Sequence, residues 1–338
     1  MKKTALSFLL LIIPMLIVAS GCTTQDDGRS LTATEGKEYA GKKVLFINSY
    51  HEGYEWSDGV QSGAETALSQ TGVELRIHYM DTKNNPSEAF IKQAALEAKA
   101  VIEEFEPDVV ITSDDNAFKY VIMPYYRDAE LPVVFCALNW DASVYGAPYK
   151  NTAGMIEVAL IKQMVGHMSK YAEGKRVGFI TGDVLSEHKN AEYFGKYVEG
   201  GLSKEVFVAN FSEWKAEYLK LQDEVDMLIL GVSAGIADWN DTEAEVFVLE
   251  NTKIPSGVEA RWMMPFALIG LTKVPEEQGE YAANTALRII DGEKPSDIPV
   301  EENKKENLML NLKIAKKLDV AFSAEMLRTA AEIIREDT

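Results

Sequence analysis

Lys43-Val44-Leu45-Phe46-Ile47-Asn48-Ser49-Tyr50-His51-Glu52-Gly53-Tyr54-Glu55-Trp56-Ser57-Asp58 opens as an apolar run and closes as a loop crowded with hydroxyls, rings and carboxylates. A run of this kind reads as a strand buried on both faces, as in a parallel sheet covered by helices. A helix is predicted from about Ser57 to Gln70, with Val60, Ala64 and Leu68 on one face. Val73 to Tyr79 alternates as a strand, and Pro86 to Phe105 reads as a long helix that ends before Pro107. Asp108 to Thr112 is a further strand, Asn116 to Arg127 a helix, and Pro132 to Cys136 a strand. Strands alternating with helices give an α/β fold with a parallel sheet.

The pattern then repeats. A helix is predicted from Ile156 to Tyr171, a strand at Arg176 to Ile180, a helix from Asn190 to Gly200, and a strand at Glu205 to Ala209. Trp214, Tyr218, Leu221 and Val225 fall at helical spacing; Met227 to Leu230 is a strand and Asp241 to Asn251 a helix. The two units are separated near Asn139 to Gly154, where Trp, Tyr, Gly, Pro and Asn replace periodic sequence. From Ile254 onward the chain is too short for a third core, so this stretch is expected to return and complete the first two sheets. It holds a helix opened by Pro275-Glu276-Glu277 and a strand at Leu308 to Leu312. The fold class is therefore α/β, with two doubly wound lobes joined by more than one crossing. The first lobe takes residues 41–140 and about 265–300, the second 141–264 and about 301–338. Crossings are expected near Asn139 to Gly154, near Ile254 to Met264 and around Pro295 to Glu301.

Ligands of open α/β sheets bind at the carboxyl ends of the strands. Here those ends carry Ser49, Tyr50, His51 and Trp56; then Asp114 and Asp115; then Asn139 and Trp140; and in the second unit Thr181, Asp183 and Ser233. Rings beside hydroxyls, amides and carboxylates suit a small organic ligand, stacked on its apolar part and held at its ends. Ser57, Asp58 and Asn116 have a second reading as helix N-caps. Tyr50, His51 and Trp56 do not, because a cap needs no ring, although a surface aromatic cluster is an alternative. Asp114 and Asp115 are adjacent, and neighbours in extended chain point apart, so the pair forms neither a metal site nor an acid–base couple by itself.

The amino terminus gives the address. Lys2 and Lys3 precede an apolar run from Ala5 to Ala19, which ends at Ala19-Ser20-Gly21-Cys22. This is the form of a secretory signal, and the cysteine after small residues resembles a bacterial lipobox. Residues 1–21 are then a lipoprotein signal peptide, Cys22 carries lipid, and residues 22–40 are a tether. The alternatives are an ordinary signal peptide or an uncleaved anchor; the run falls short of the roughly 20 apolar residues an anchor needs and contains Pro14. Of the 338 residues, about 300 remain for the body, enough for two domains. The formal charge of −19 drops by two with the loss of Lys2 and Lys3, to about −21, which argues against nucleic acid as a partner. The only other cysteine, Cys136, lies in an apolar strand and reads as an inert buried thiol. His51, His78, His167 and His188 are scattered, and no Cys/His cluster has metal-site spacing. GxxxxGK[ST] and GxGxxG motifs are missing; Gly231-Val232-Ser233-Ala234-Gly235 has the GxSxG spacing and is read as no more than a partial echo of a nucleophile elbow. No catalytic residue, cofactor or metal is assigned.

Ile47 to Asp58 resembles the first-loop signature of the tryptophan/tyrosine-binding-like family of ABC-type periplasmic substrate-binding proteins. Ser113-Asp114-Asp115-Asn116-Ala117-Phe118 and Pro132 to Asn139 are similar to two further blocks, and Pro275 to Gly279, Leu287 to Pro295 and Leu310 to Leu318 to its late helix, loop and terminal segment. The ordered set spans nearly the whole mature chain. The resemblance implies a type I periplasmic-binding-protein fold, with two lobes, a three-strand hinge and a ligand in the cleft between them. It implies a lipid-anchored, extracytoplasmic receptor that hands a small solute, an aromatic amino acid among the candidates, to a membrane permease with cytoplasmic ATPase subunits. Similar domains also serve as ligand-sensing receptors for a signalling partner. Under this resemblance Ser49, Tyr50, Asp114, Asp115 and Asn139 map to the rim of the cleft on the first lobe, and Thr181, Asp183 and Ser233 to the second. Glu259, Arg261 and Trp262 lie where the chain crosses back, with Arg261 taken as a ligand contact.

Overall fold

The computed structural model describes residues 38–335; the signal sequence, Cys22 and nearly all of the tether lie outside the described residues. The opening run forms β1 (Lys43–Asn48), followed by α1 (Glu55–Leu68), β2 (Glu74–Tyr79), α2 (Glu88–Phe105) and β3 (Val109–Ser113). The next helix comes in pieces, α3 (Asp114–Ala117), a π-helical turn at Phe118–Ile122, and α4 (Met123–Tyr125), before β4 (Val133–Asn139) and β5 (Thr152–Glu157). These strands form one sheet in the order β2-β1-β3-β4-β5, with every pairing parallel. The second half runs α5 (Ile161–Met168), β6 (Val177–Gly182), α6 (Leu185–Tyr197), β7 (Lys204–Val208), α7 (Phe211–Glu224), β8 (Met227–Leu230), α8 (Asp241–Asn251), β9 (Ser256–Val258) and β10 (Ile269–Lys273). Its sheet has the matching order β7-β6-β8-β9-β10. The chain ends with α9 (Pro275–Ile290), β11 (Glu301–Glu302), β12 (Glu306–Asn311), α10 (Leu312–Lys317), α11 (Ala324–Thr329) and β13 (Glu332–Ile334). β11 extends the first sheet beside β5, while β12, antiparallel to β10, and then β13 extend the second.

The apolar pattern explains both layers. β1 keeps Val44, Leu45, Phe46 and Ile47 at 0% exposure, as a strand covered on both faces must. On the second lobe Phe211, Trp214, Tyr218 and Leu221 recur at helical spacing along α7 and are buried. Trp214 stacks on Tyr218, with ring centroids 4.9 Å apart, and meets Trp239 edge-on at 5.0 Å. Cys136 is fully buried and free among the described residues, where burial raises its thiol pKa.

The strands divide the chain differently from the boundaries read in the sequence. β5 lies within the stretch assigned to the second lobe but joins the first sheet, and β11 does the same. β10 lies in the stretch assigned to the first lobe but joins the second sheet. The three crossings accordingly follow β5, β10 and β11, at residues 158–160, 274 and 303–305. The helix expected from Ile156 is shorter, because Thr152 to Glu157 is a strand. Gly154 hid it: a Cβ there would sit 2.3 Å from the Phe135 ring, so only glycine lets β5 pair with β4.

The crossings are bound to one another by buried polar groups. The Asn303 side chain accepts from the Val158 amide at 2.7 Å. The Glu277 carboxylate accepts from the Lys304 and Lys305 amides at 2.8–3.0 Å. Gln278, with no exposed surface, accepts from the Ala137 amide at 2.8 Å and donates to the Ile156 carbonyl. That amide is released from the ladder by a register shift between Phe135 and Leu138, with Ala137 at a φ of 55°. Lys273, at the end of β10, donates to Glu157 at the end of β5, joining the two lobes at 2.5 Å. Burial alone would lower the Lys273 pKa, but the carboxylates of Glu157 and Glu259 outweigh it and raise it. Burial raises the pKa of Glu157, and that of Glu259 to about 7, against the opposing pull of Lys273. Asp114 is likewise raised, by burial and then by Glu157.

Two outcomes follow from this packing. Helices α1 and α9 meet backbone to backbone: a Cβ on Gly279 would lie 1.7 Å from the Val60 carbonyl oxygen, and one on Gly63 2.1 Å from that of Glu276. Gly279→Ala should therefore destabilise by about 1–3 kcal/mol, measured by urea unfolding, while Gly166→Ala, where the space is open, should not. Glu259 holds its proton more tightly when folded, so its contribution to stability is complete below about 4.5 and is lost as the pH rises to about 7. Melting temperature against pH should fall less over that window in Glu259→Gln than in the unaltered protein.

Candidate functional site

The carboxyl ends of both sheets border a cavity of about 780 Å³. The first lobe supplies Tyr54 and Trp56 from the β1–α1 loop and helix start, with Pro275 and Glu276 at the start of α9. From the second lobe come Glu187, Asn190 and Phe194 on α6, the chain leaving β8 at Gly231, the segment Glu259 to Trp262, and Lys273. Both sides therefore contribute, as expected of a site at strand ends in doubly wound sheets.

The β1–α1 loop is held by its own polar groups. Asp58 accepts from the Gly53 amide at 3.1 Å, which folds the loop back and lifts Tyr54 and Trp56 to the cavity. Helix α1 begins at Glu55 with Tyr54 as its N-cap residue, so neither Ser57 nor Asp58 is the cap. The Trp56 ring lies 5.5 Å from the Lys273 ammonium, and its indole N–H is buried without a hydrogen-bond partner. Tyr50 packs edge-on against Tyr54 at 5.3 Å, and the Lys83 ammonium sits 4.9 Å from both rings. His51 lies against Tyr54, with its Nδ1 at 2.9 Å from the Glu52 carbonyl oxygen.

On the second lobe Glu187 is 3% exposed. It accepts from the Thr181 hydroxyl at 2.6 Å and from the Asn190 amide at 2.8 Å. Gly231 makes room for it, since a Cβ there would be 2.7 Å from the Glu187 Oε2. Arg261 donates from Nε to Glu332 at 2.7 Å and stays largely exposed on the rim, next to Trp262 at 66% exposure.

Of the residues singled out from the sequence, Trp56 and Arg261 line the cavity directly, and Tyr50 touches it through Tyr54. Ser49 is fully buried; its hydroxyl donates to the Ser113 carbonyl at 2.6 Å and accepts from the Ala117 amide at 2.8 Å, so its single proton is spent on the fold. Thr181 is buried in the same way and acts on the cavity through Glu187. Asp114 is buried and bonded to the Ser113 hydroxyl at 3.0 Å. Asp115 forms a separate group with Asn139 at 2.9 Å and Tyr145 at 2.8 Å. Trp140 packs on the second lobe, edge-on to Tyr193 at 4.2 Å and parallel to Phe194. Asp183 pairs with His188 at 2.7 Å on the exposed side of α6, and Ser233 is half-buried in the loop after β8. Asn116 donates to the Thr82 hydroxyl at 2.8 Å instead of capping a helix. Tyr54, Glu187, Asn190, Phe194 and Lys273 were not read as site residues. Lys273 carried a signal, a charged residue closing an apolar strand; Glu187 carried none beyond its place two residues into α6. Among the described residues no group of three or more His, Cys, Asp or Glu side chains is arranged to hold a metal ion. No described helix is long and apolar enough to cross a membrane.

Comparison with known proteins places this geometry. Residues 51–334 match the family model for ABC transporter substrate binding protein. No curated protein sequence matches the chain. Among solved structures, the chain is similar to a ligand-free, open substrate-binding protein with adhesive properties from Clostridium difficile, at 15% identity and a TM-score of 0.65 over 87% of this chain and all of the other. It is similar to an ABC domain in complex with L-Trp from Streptococcus pneumonia, at 18% identity and a TM-score of 0.51 over 87% of this chain and 99% of that one. It also resembles a periplasmic ribose ABC transporter protein from Conexibacter woesei, at 13% identity and a TM-score of 0.51 over 87% and 99% of the two chains. These likenesses fix the fold as type I periplasmic-binding-protein-like, as the sequence resemblance implied. With the family model covering most of its length, the chain belongs to the ABC transporter substrate-binding proteins.

Proposed function

We propose that this chain is the extracytoplasmic receptor of an ABC importer, held at the membrane by lipid on Cys22, and that it captures a small organic solute between its lobes. The observation that carries this reading is the cavity of about 780 Å³ whose walls come from both lobes. One side offers Tyr54 and Trp56 with the carboxylates of Glu55 and Glu276, the other Phe194 and Trp262 with the carboxylates of Glu187 and Glu259 and the amide of Asn190. A volume in this range holds a small organic molecule, and aromatic walls with a few fixed polar groups are the composition of such sites. A ligand touching both sides favours the closed arrangement by the difference between its affinities for the closed and open states. The three crossings are short, so opening and closing turn on few backbone angles. Ser49, Thr181 and Asp58 fix the loops that carry the contacts. An aromatic amino acid fits the dimensions and the ring-lined wall; its permease partner would read the closed shape.

Two experiments test this reading. Protein begun at Thr23 should gain several degrees in melting temperature with its solute at 100 times Kd, since such binding adds about 2.7 kcal/mol. Trp56→Ala should remove most of that gain while leaving the ligand-free melting temperature within about 2 °C. A screen of amino acids, amines, nucleosides and sugars without one stabilising compound would contradict capture in the cleft. In cells, Cys22→Ser should move the protein from the membrane fraction to the soluble extracytoplasmic fraction; unchanged membrane association would contradict lipid anchoring.

A further inference from the structure

Glu259 stands where the cleft meets the crossings. It follows β9, whose parallel pairing with β10 sets Gly257 beside Ile269 and Val258 beside Gly270. Continued by one residue, that register puts Glu259 on the face of Gly257, with Lys273 on the same face of the neighbouring strand. Both side chains line the cavity. Helix α5 covers this face, since a Cβ on Gly257 would lie 2.5 Å from the Met164 sulfur. That helix begins directly after the first crossing, whose Leu160 amide donates toward the Glu259 carboxylate.

The charged neighbours have other duties. Lys273 is bonded to Glu157 of the first lobe at 2.5 Å. Asp114 and Glu187 are buried, the first bonded to the Ser113 hydroxyl and the second to Thr181 and Asn190. Glu306, opposite Lys273 on β12, pairs with His167 of α5 at 2.7 Å, and Arg261 is drawn away to Glu332. Glu55 and Glu276 line the cavity from the first lobe. Asp114, Glu157 and Glu187 are already removed from water, whereas Glu259 is partly exposed and opens on the cavity. The water that hydrates Glu259 is therefore water of the cleft, and drawing the lobes together expels it. Dehydration favours the neutral acid. Burial already raises the Glu259 pKa to about 7, against the pull of Lys273.

We infer, resting on the cleft reading above, that Glu259 is a positioning residue for closure: it takes up a proton as the lobes close, and so leaves Lys273 wholly to Glu157 and fastens one lobe to the other. Both consequences of the proton act in one direction. A neutral Glu259 is easier to remove from water, and the bond between the lobes no longer shares its ammonium. The closed arrangement holds the proton more tightly than the open one. Closing is therefore favoured below about pH 7 and opposed as the pH rises through that value.

Single-molecule energy transfer tests this on protein begun at Thr23, with dyes on Lys119→Cys of the first lobe and Lys189→Cys of the second, both exposed positions. Without ligand, the ratio of closed to open molecules should rise between pH 8 and pH 6 by at least about threefold, and by up to about tenfold. The L-tryptophan concentration that closes half the molecules should fall by a similar factor. Glu259→Gln, which keeps the shape but cannot ionise, should give one ratio at both pH values, near that of the unaltered protein at pH 6. Glu259→Asp, which keeps a titrating carboxyl, should still respond to pH. Circular dichroism and melting temperature check that the variants fold. A pH response that survives Glu259→Gln, or one of opposite sign, overturns the role of Glu259. If L-tryptophan or another compound of the thermal screen closes the lobes and pH changes nothing, the proton linkage is wrong and the cleft reading stands. If neither pH nor any compound of the screen alters the transfer, both fail.

Discussion

The ammonium of Lys273 is the constraint on which the rest of the structure turns. It closes the last strand of the second sheet's parallel part, and it bonds Glu157, which closes the fifth strand of the first. Both residues immediately precede crossings between lobes. A carboxylate as buried as Glu157 needs a partner, so the two crossings cannot drift apart without leaving a charge stranded. Glu277, Gln278 and Asn303 then tie the third crossing to the other two through backbone amides and a carbonyl. The result is that the carboxyl ends of two separate parallel sheets are held face to face. The cleft is the space that this leaves.

From that arrangement the division of labour among polar residues follows. Residues nearest the strand ends are absorbed by the backbone: Ser49 bridges two loops, Asp58 folds one back, and Thr181 holds a glutamate in place. Those one step further out, on the first turns of helices and in the returning segment, form the wall. Such layering is physically sensible, because a side chain that contacts a ligand must itself be fixed before the ligand arrives. Net charge of −19 over the chain sets the wider field, and the cavity takes rings and carboxylates from both lobes: Tyr54, Trp56, Glu55 and Glu276 on one side, Phe194, Trp262, Glu187 and Glu259 on the other.

Much of the fold was legible in the sequence, since continuous apolar strands and amphipathic helices announce a parallel α/β sheet. β5 and β10 were not, for one reason. Each carries an interior glycine, Gly154 or Gly270, where a Cβ would collide with Phe135 or with Met264 and Met309. A local reading takes such glycines for breaks, whereas the sheet requires them, and the lobe boundaries shifted accordingly. The site was legible as a region more than as residues. The loop after β1 was found because rings have no role in capping, and Trp56 does line the cavity. Ser49 and Thr181 were read as contacts because hydroxyls at strand ends suit ligands, yet burial assigns their bonds to the protein. Glu187 and Lys273 were missed because their place depends on how α6 and β10 approach across the cleft, a long-range fact that no local pattern encodes.

Hydrogen–deuterium exchange bears most directly on the central claim, that one solute is gripped by both lobes. It should be measured on protein begun at Thr23, with and without the compound from the thermal screen that stabilises it most. The account predicts added protection at residues 50–60 of the first lobe and at residues 185–195 and 257–263 of the second, together with the crossings at 158–160 and 303–305. Protection confined to one lobe, with the crossings unchanged, would contradict it.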